Sequence, residues 1–190
     1  MTAGKLVFLL EERSMKALLD GLLPRFLPDL KFQCVPHEGK HDLEKSIPRK
    51  LRAWHEPGVR FVIVYDNDGG NCIELKQRLT ALCNESGRPD TLVRIACQEL
   101  EAWYFGDTDA LALAFAKKQL SKIGNKSSYR DPDSIRYPSK ELSKLIPEFQ
   151  KISGARKMSV HLSRTANRSG SYHALMDGIE RLAASMSLSE

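Results

Sequence analysis

Four short apolar runs punctuate the first hundred residues: Lys5 to Leu10, Leu30 to Val35, Phe61 to Tyr65 and Thr91 to Cys97. Runs of this length, the third rich in β-branched and aromatic residues, read as buried parallel strands. Between the first two, Met15, Leu18, Leu19, Leu22, Leu23 and Phe26 fall on one helical face, with Ser14 as N-cap and Pro28 closing the segment. A polar turn, Pro36 to Lys40, follows the second run. It leads to a short helix capped by Ser46 with Pro48 in its first turn, and Gly58 breaks it. Cys72, Leu75, Leu79, Leu82 and Cys83 mark the next helix, ended by Gly87 and Pro89. Gln98 to Trp103 follows the fourth run at once. This alternation predicts an α/β fold: a mainly parallel sheet of about four strands flanked by helices, with right-handed crossovers.

Beyond Phe115 the pattern changes. Lys117 to Lys140 is polar, basic and broken by Gly124, Pro132 and Pro138, so it predicts an extended loop. A short helix is expected over Glu141 to Phe149. The last helix starts near Ser171, with Tyr172, Leu175, Met176, Ile179, Leu182 and Met186 on one face. The expected division is therefore an α/β core over 1–115 and a basic loop with a C-terminal helical extension, packed on the core, over 116–190. The final four or five residues are expected to fray.

Composition adds little to this picture. A formal charge of +5 and a pI near 9.0 lean toward a polyanionic partner, nucleic acid above all, but many basic proteins bind none. The four cysteines form no C-x-x-C pair, which argues against a zinc site. Set within apolar patterns, they read as buried free thiols in a reducing cytosol, and so as a cytoplasmic protein. The first apolar run is short and ends in two glutamates, unlike a signal peptide. No stretch reaches the ~20 apolar residues of a membrane span, so no membrane partner is expected. Nothing in the sequence speaks to oligomeric state.

Candidate chemistry lies where the strands end. Asp66-Asn67-Asp68-Gly69 follows the third, Glu11-Glu12 the first, and Glu99 and Glu101 the fourth. Open parallel sheets carry their sites at these C-terminal ends. Carboxylates from neighbouring strands suit a hard cation, Mg²⁺ or Mn²⁺, which activates water and neutralises charge on a phosphodiester. The expected ligands are Glu11, Asp66, Asp68, Glu101 and Glu99, with one of the last two facing the site. Bland alternatives stand beside each. Asp68 can cap the helix through Ile73, and Glu99 can occupy the first turn of its own helix. Lys40, in the turn after the second strand, is placed to assist at the phosphate or to be a solvated turn lysine. A hard-cation site needs neither His37 nor His41. Arg156, Lys157, Arg164, Asn167, Arg168 and Ser169 form a basic, hydroxyl-rich stretch suited to phosphate contacts, or equally a solvated face. Trp54 and Trp103 fit apolar helical faces and read as core.

Two motif rivals fail. An EF-hand loop has Gly70 and Asn71 in the wrong positions and Gln77 in place of the bidentate glutamate. A haloacid-dehalogenase-like phosphatase opens its first strand with D-x-D-G, whereas two strand–helix units precede this one.

At these residues the chain resembles the Toprim superfamily, found in type IA and type II topoisomerases, bacterial primases, small RNA-maturation nucleases and OLD-type nucleases. That family has a glutamate after the first strand and a D-x-D after a later one, matched by Glu11 and by Asp66 and Asp68. Leu10-Glu11-Glu12-Arg13-Ser14 looks like the V-E-G-x-S/T opening of its small stand-alone bacterial members. Tyr65 to Gly69 and Glu99 to Trp103 resemble two further stretches of those proteins. The likeness runs over roughly Leu6 to Asp109. It departs at Glu12, where the family's glycine lets the backbone approach a phosphate. The resemblance implies a Toprim-like fold and a Mg²⁺- or Mn²⁺-dependent phosphodiesterase, a nuclease on RNA or DNA, with Glu11, Asp66 and Asp68 in catalytic roles; Lys40 joins them from its position in the turn alone. It also implies a context, since some such members are encoded beside ATPase genes in phage-defence loci. The alternative is a non-catalytic regulatory or toxin subunit that docks a partner ATPase.

Overall fold

A computed structural model describes residues 4–187. The expected fraying of the last four or five residues falls chiefly on 188–190, outside the described residues. Four parallel strands, β1 (Lys5–Leu10), β2 (Phe32–Pro36), β3 (Val59–Asp66) and β4 (Leu92–Ala96), form one sheet in the order β2-β1-β3-β4. The α/β sheet flanked by helices is the architecture the apolar pattern predicts. Leu10 pairs with Pro36 on one side and Val64 on the other, and Asp66 pairs with Ala96. This register brings the residues after β1, β3 and β4 to one edge.

Alternate residues of β1 and β3 serve two cores, as expected for strands covered on both faces. Leu6, Phe8, Leu10, Val62 and Val64 join the larger cluster, which also contains residues as late as Tyr172 and Ile179. Val7, Leu9, Phe61, Ile63 and Tyr65 join the smaller one. The larger face is covered by α1 (Arg13–Phe26), α4 (Ala102–Gly106), α5 (Thr108–Ala114), α7 (Lys151–His161) and α8 (Gly170–Ser187). The smaller is covered by α2 (Lys40–Ala53) and α3 (Cys72–Glu85).

Several local expectations are corrected. Helix α1 begins at Arg13 with Glu12 in the cap position, so Ser14 is a buried first-turn residue whose hydroxyl donates to Glu12. Helix α2 begins six residues before Ser46, after Gly39 at φ +97°, where a side chain would be strained. Its only core residues are Leu43, Ser46, Ile47 and Leu51, too sparse in the first two turns to signal a helix. Asn71, not Asp68, caps α3 by accepting from the backbone N–H of Ile73 at 2.9 Å. Residues 118–134 contain three 3₁₀ turns, and α6 (Pro138–Leu145) starts earlier than expected. Helix α7 was not predicted.

Small residues hid α7. It buries Gly154, Ala155, Met158 and Ser159, a face with little apolar signal. That face lies close to α1: a Cβ added to Gly21 would meet the Ser159 hydroxyl at 2.2 Å. Arg25 ties the same pair by donating to the carbonyls of Ser159 at 2.6 Å and Leu162 at 3.1 Å. No described helix is long and apolar enough to cross a membrane. The cysteines are free; Cys72 and Cys97, after β3 and β4, have sulfurs 3.5 Å apart.

Candidate active site

The parallel register sets Glu11 one residue past β1 beside Asp66, the last residue of β3. Glu11 Oε2 accepts the backbone N–H of Asp66 at 3.1 Å, and Asp66 Oδ2 accepts that of Leu100 at 3.3 Å. Two amides thus aim two carboxylates across three strand ends. Asp66 is 6% exposed, and Glu101 is fully buried with no hydrogen-bond partner on either carboxylate oxygen.

Such crowding shows in the acidities. Burial, then the charges of Glu11 and Glu101, push the Asp66 carboxyl well above the usual range. Burial likewise lifts Glu11 and Glu101, each to about 7. The neighbouring Tyr104 hydroxyl is buried without a partner, and burial followed by Glu101, Glu12 and Asp66 keeps it protonated. A fully buried carboxylate without partners is costly unless it is protonated or meets a cation.

One cation is already nearby. Lys151, the first residue of α7, donates to Glu12 at 3.2 Å. Burial pulls its ammonium down, but Glu101 and Glu12 outweigh burial and hold it above the ordinary lysine value. Glu12 therefore has a use where the Toprim pattern has glycine: it seats Lys151. Sequence reading missed Lys151 because it lies in a helix without an apolar signature.

The other expected residues divide. Asp68 has left-handed backbone (φ +48°) and its carboxylate turns to Lys40 Nζ at 2.6 Å, so Lys40 does reach the site. Lys40 also lies over the Tyr65 ring, 5.2 Å from its centroid. Glu99 is drawn away: its Oε2 accepts the backbone N–H of Ser139, in the first turn of α6, at 2.7 Å. Of the Glu99 and Glu101 pair, Glu101 is the one beside Asp66. His37 donates through Nδ1–H to the Leu10 carbonyl, 2.9 Å away, and its buried Nε2 has no partner.

Asn67, between the two aspartates, was also missed. Its backbone N–H donates to Ala96 at 3.2 Å, its amide to Gly70 at 2.8 Å, and its Oδ1 accepts from Gln98. With the Asp68 N–H on the Gln98 carbonyl at 2.9 Å, it locks the β3 loop to the β4 loop. A buried asparagine between two acids gives no periodic signal.

The basic stretch divides: Arg156 and Lys157 are exposed on α7, and the later residues are engaged within the chain. Arg164 is bound to Glu180 at 2.6 Å and to Asp177. Arg168 donates to the carbonyls of Arg130 and Phe105 at 2.8 and 2.9 Å. Asn167 and Ser169 are buried, on Trp103 and Asp133. Trp103 is core as expected, and Trp54 is half-buried with its ring edge-on to Phe61.

The donors at the edge are carboxylate oxygens, the chemistry a hard divalent cation prefers. The two orphaned oxygens of Glu101 fit such an ion. Among the described residues no three His, Cys, Asp or Glu side chains are arranged to hold a metal as they stand. Asp68 is on Lys40, and Lys151 stands against Glu12. Closing a complete ligand set requires those side chains to move.

Residues 10–180 match the family model described as a domain of unknown function, DUF4276, and the chain belongs to that family. No curated protein matches it. Two solved structures share the fold. The C-terminal region of the Burkholderia pseudomallei OLD protein has a TM-score of 0.59 at 14% identity, over 98% of this chain and 100% of that one. The C-terminal region of the Xanthomonas campestris pv. campestris OLD protein has a TM-score of 0.57 at 13% identity, over 97% of both chains. At these identities the likeness is one of fold.

Proposed function

We propose that this chain is a metal-dependent phosphodiesterase, a nuclease acting on RNA or DNA. The observation that carries the reading is Glu101, buried with both oxygens unpartnered and close enough to Asp66 to raise its pKa, as Glu11 does from the other side. Glu11, Asp66 and Glu101 would hold Mg²⁺ or Mn²⁺, with Asp68 joining once it leaves Lys40. A bound ion of this kind activates water and neutralises charge developing on a phosphodiester. Lys40 and Lys151 supply positive groups on either side of the acids, suited to holding a phosphate oxygen. The Toprim resemblance and the fold shared with OLD C-terminal regions support the same class. A place in bacterial phage defence belongs to this reading, and a plaque assay with and without the gene tests it.

The second reading is a non-catalytic subunit that docks a partner ATPase. It is favoured by the incomplete metal set and by Lys151 standing where a cation would. Incubating purified protein with single- and double-stranded nucleic acids and Mn²⁺, beside Asp66→Ala, separates the two. The nuclease reading expects cleavage by the wild type and a loss of orders of magnitude in the variant, with no loss of melting temperature. Equal cleavage by both proteins overturns it. Millimolar Mg²⁺ or Mn²⁺ should also raise the wild-type melting temperature, because only the folded state gathers the ligands.

A further inference from the structure

Beside the acidic edge lies a cavity of about 370 Å³ lined by Asp68, Gly69, Gln98, Glu99, Arg136 and Tyr137. Its walls are unusual in backbone. Four described non-glycine residues have left-handed φ, and three of them are here: Asp68 at +48°, Gln98 at +68° and Tyr137 at +53°. Such conformations cost of order 1 kcal/mol or more each and persist where the surroundings enforce them, often at ligand sites. Tyr137 is enforced by its neighbours, since Ile135 and Pro138 on either side of it are buried while its own ring is 61% exposed. The strain displays an aromatic ring to solvent instead of burying it. The Lys140 ammonium lies 4.6 Å from that ring's centroid, and the Arg136 guanidinium makes no ion pair or hydrogen bond among the described residues.

We infer that this cavity is a nucleobase subsite, with Tyr137 as the stacking platform for an unpaired base next to the phosphate at the acidic edge. The inference rests on the nuclease reading for the identity of the ligand and adds the substrate class: single-stranded RNA or DNA. The chemistry of the walls chooses base over phosphate. Two carboxylates, Asp68 and Glu99, line the space and repel a phosphate. Each holds one partner, Lys40 and the Ser139 amide, and keeps further acceptor capacity. Exocyclic amino groups and ring N–H groups of a base are donors that match them, and the Gln98 amide offers both a donor and an acceptor. Arg136 and Lys140 on the Tyr137 side suit the flanking backbone phosphates. A base within a duplex is stacked and paired, and reaches such a ring only after leaving the helix.

The test is binding without cleavage: fluorescence anisotropy of short labelled oligonucleotides with EDTA at low salt. Wild type should bind single strands more tightly than the matching duplex. Base–aromatic stacking is worth ~1–3 kcal/mol, so Tyr137→Ala should weaken single-strand binding by about 5- to 150-fold. Tyr137→Phe should keep affinity within about twofold, and both variants should melt with wild type because the ring is exposed. Arg136→Ala should weaken both forms and flatten the salt dependence. Single-strand affinity unchanged in Tyr137→Ala, or a duplex bound as tightly as a single strand, overturns the subsite. The two readings fail separately. A wild type that binds as described but never cleaves with Mn²⁺ ends the nuclease reading and keeps the subsite. One that cleaves with no dependence on Tyr137 ends the subsite alone.

Discussion

The acidic edge of the sheet and the basic stretch near the C-terminus are both dense in charge, and they treat that charge in opposite ways. The Arg164 and Arg168 guanidinium groups meet acids and carbonyls of their own chain, and Asp133 accepts from the hydroxyls of Ser169 and Ser171 and the Ser171 amide. At the acidic edge Glu101 has no hydrogen-bond partner, and after burial the charges of Glu11 and Glu101 push the Asp66 pKa up. Charges that are neutralised internally build structure. Charges left over at strand ends are available to a ligand, and this difference locates the site better than charge density does.

The largest effect should come from the neutralised side. Asp133→Ala leaves two buried or half-buried hydroxyls and an amide without their acceptor. At ~1–3 kcal/mol for each unsatisfied group, a loss of about 3 kcal/mol corresponds to a melting temperature lower by about 6–12 °C in a chain this size. Scanning fluorimetry checks it, and an unshifted midpoint would mean the stretch is not held from within.

Glu101→Gln probes the other side and should do the reverse. Removing a buried, unpartnered charge while keeping its shape should raise the metal-free melting temperature by about 2–6 °C. The same variant should lose most of the stabilisation by Mg²⁺ or Mn²⁺. A lower midpoint would show that Glu101 has a structural partner in solution.

A smaller effect is expected from pH. Glu11 and Glu101 titrate near 7 in the folded protein against an ordinary 4.5. Their folded pKa values are raised, so the stability they contribute is full below about 4.5 and lost as pH rises through about 7. Metal-free wild type should therefore lose stability relative to Glu101→Gln between pH 5 and 8, measured as the gap between two urea midpoints. A constant gap would refute the raised pKa of Glu101.

The smallest effect concerns Arg164→Gln. Its partners are partly exposed, so the stability cost should be about 1 kcal/mol. Nucleic-acid affinity and its salt slope should not change, whereas a phosphate-contacting arginine would lower the slope by about one. A reduced slope would return the basic stretch to the binding surface.

Much of this was legible in the sequence, for reasons that particular residues make clear. The strands are visible because β1 and β3 are buried on both faces and so are continuously apolar. Glu11, Asp66 and Asp68 are visible because a parallel sheet fixes where their strands end. Glu99 and Glu101 are two residues apart, and only the position of α6 separates a carboxylate that holds Ser139 from one that faces Asp66. Lys151 and Asn67 are tertiary facts: one arrives on a helix packed through small residues, the other acts through two hydrogen bonds to the β4 side and one within its own loop. The departure at Glu12 was visible as an anomaly, but its meaning needed Lys151.

The bond between Lys151 and Glu12 spans 139 positions of the chain, and that separation has a consequence in time. Parallel strands and remote helix pairs form late, because the intervening loop must close before the contact is made. During synthesis, at ~5–20 residues per second, the strands and their acids emerge well before α7. For those seconds the acidic residues are present without the ammonium that tempers them and without the helix that covers α1. Assembly of the site is therefore among the last events of folding. A nascent chain stalled before Lys151 carries the acids but not the finished centre.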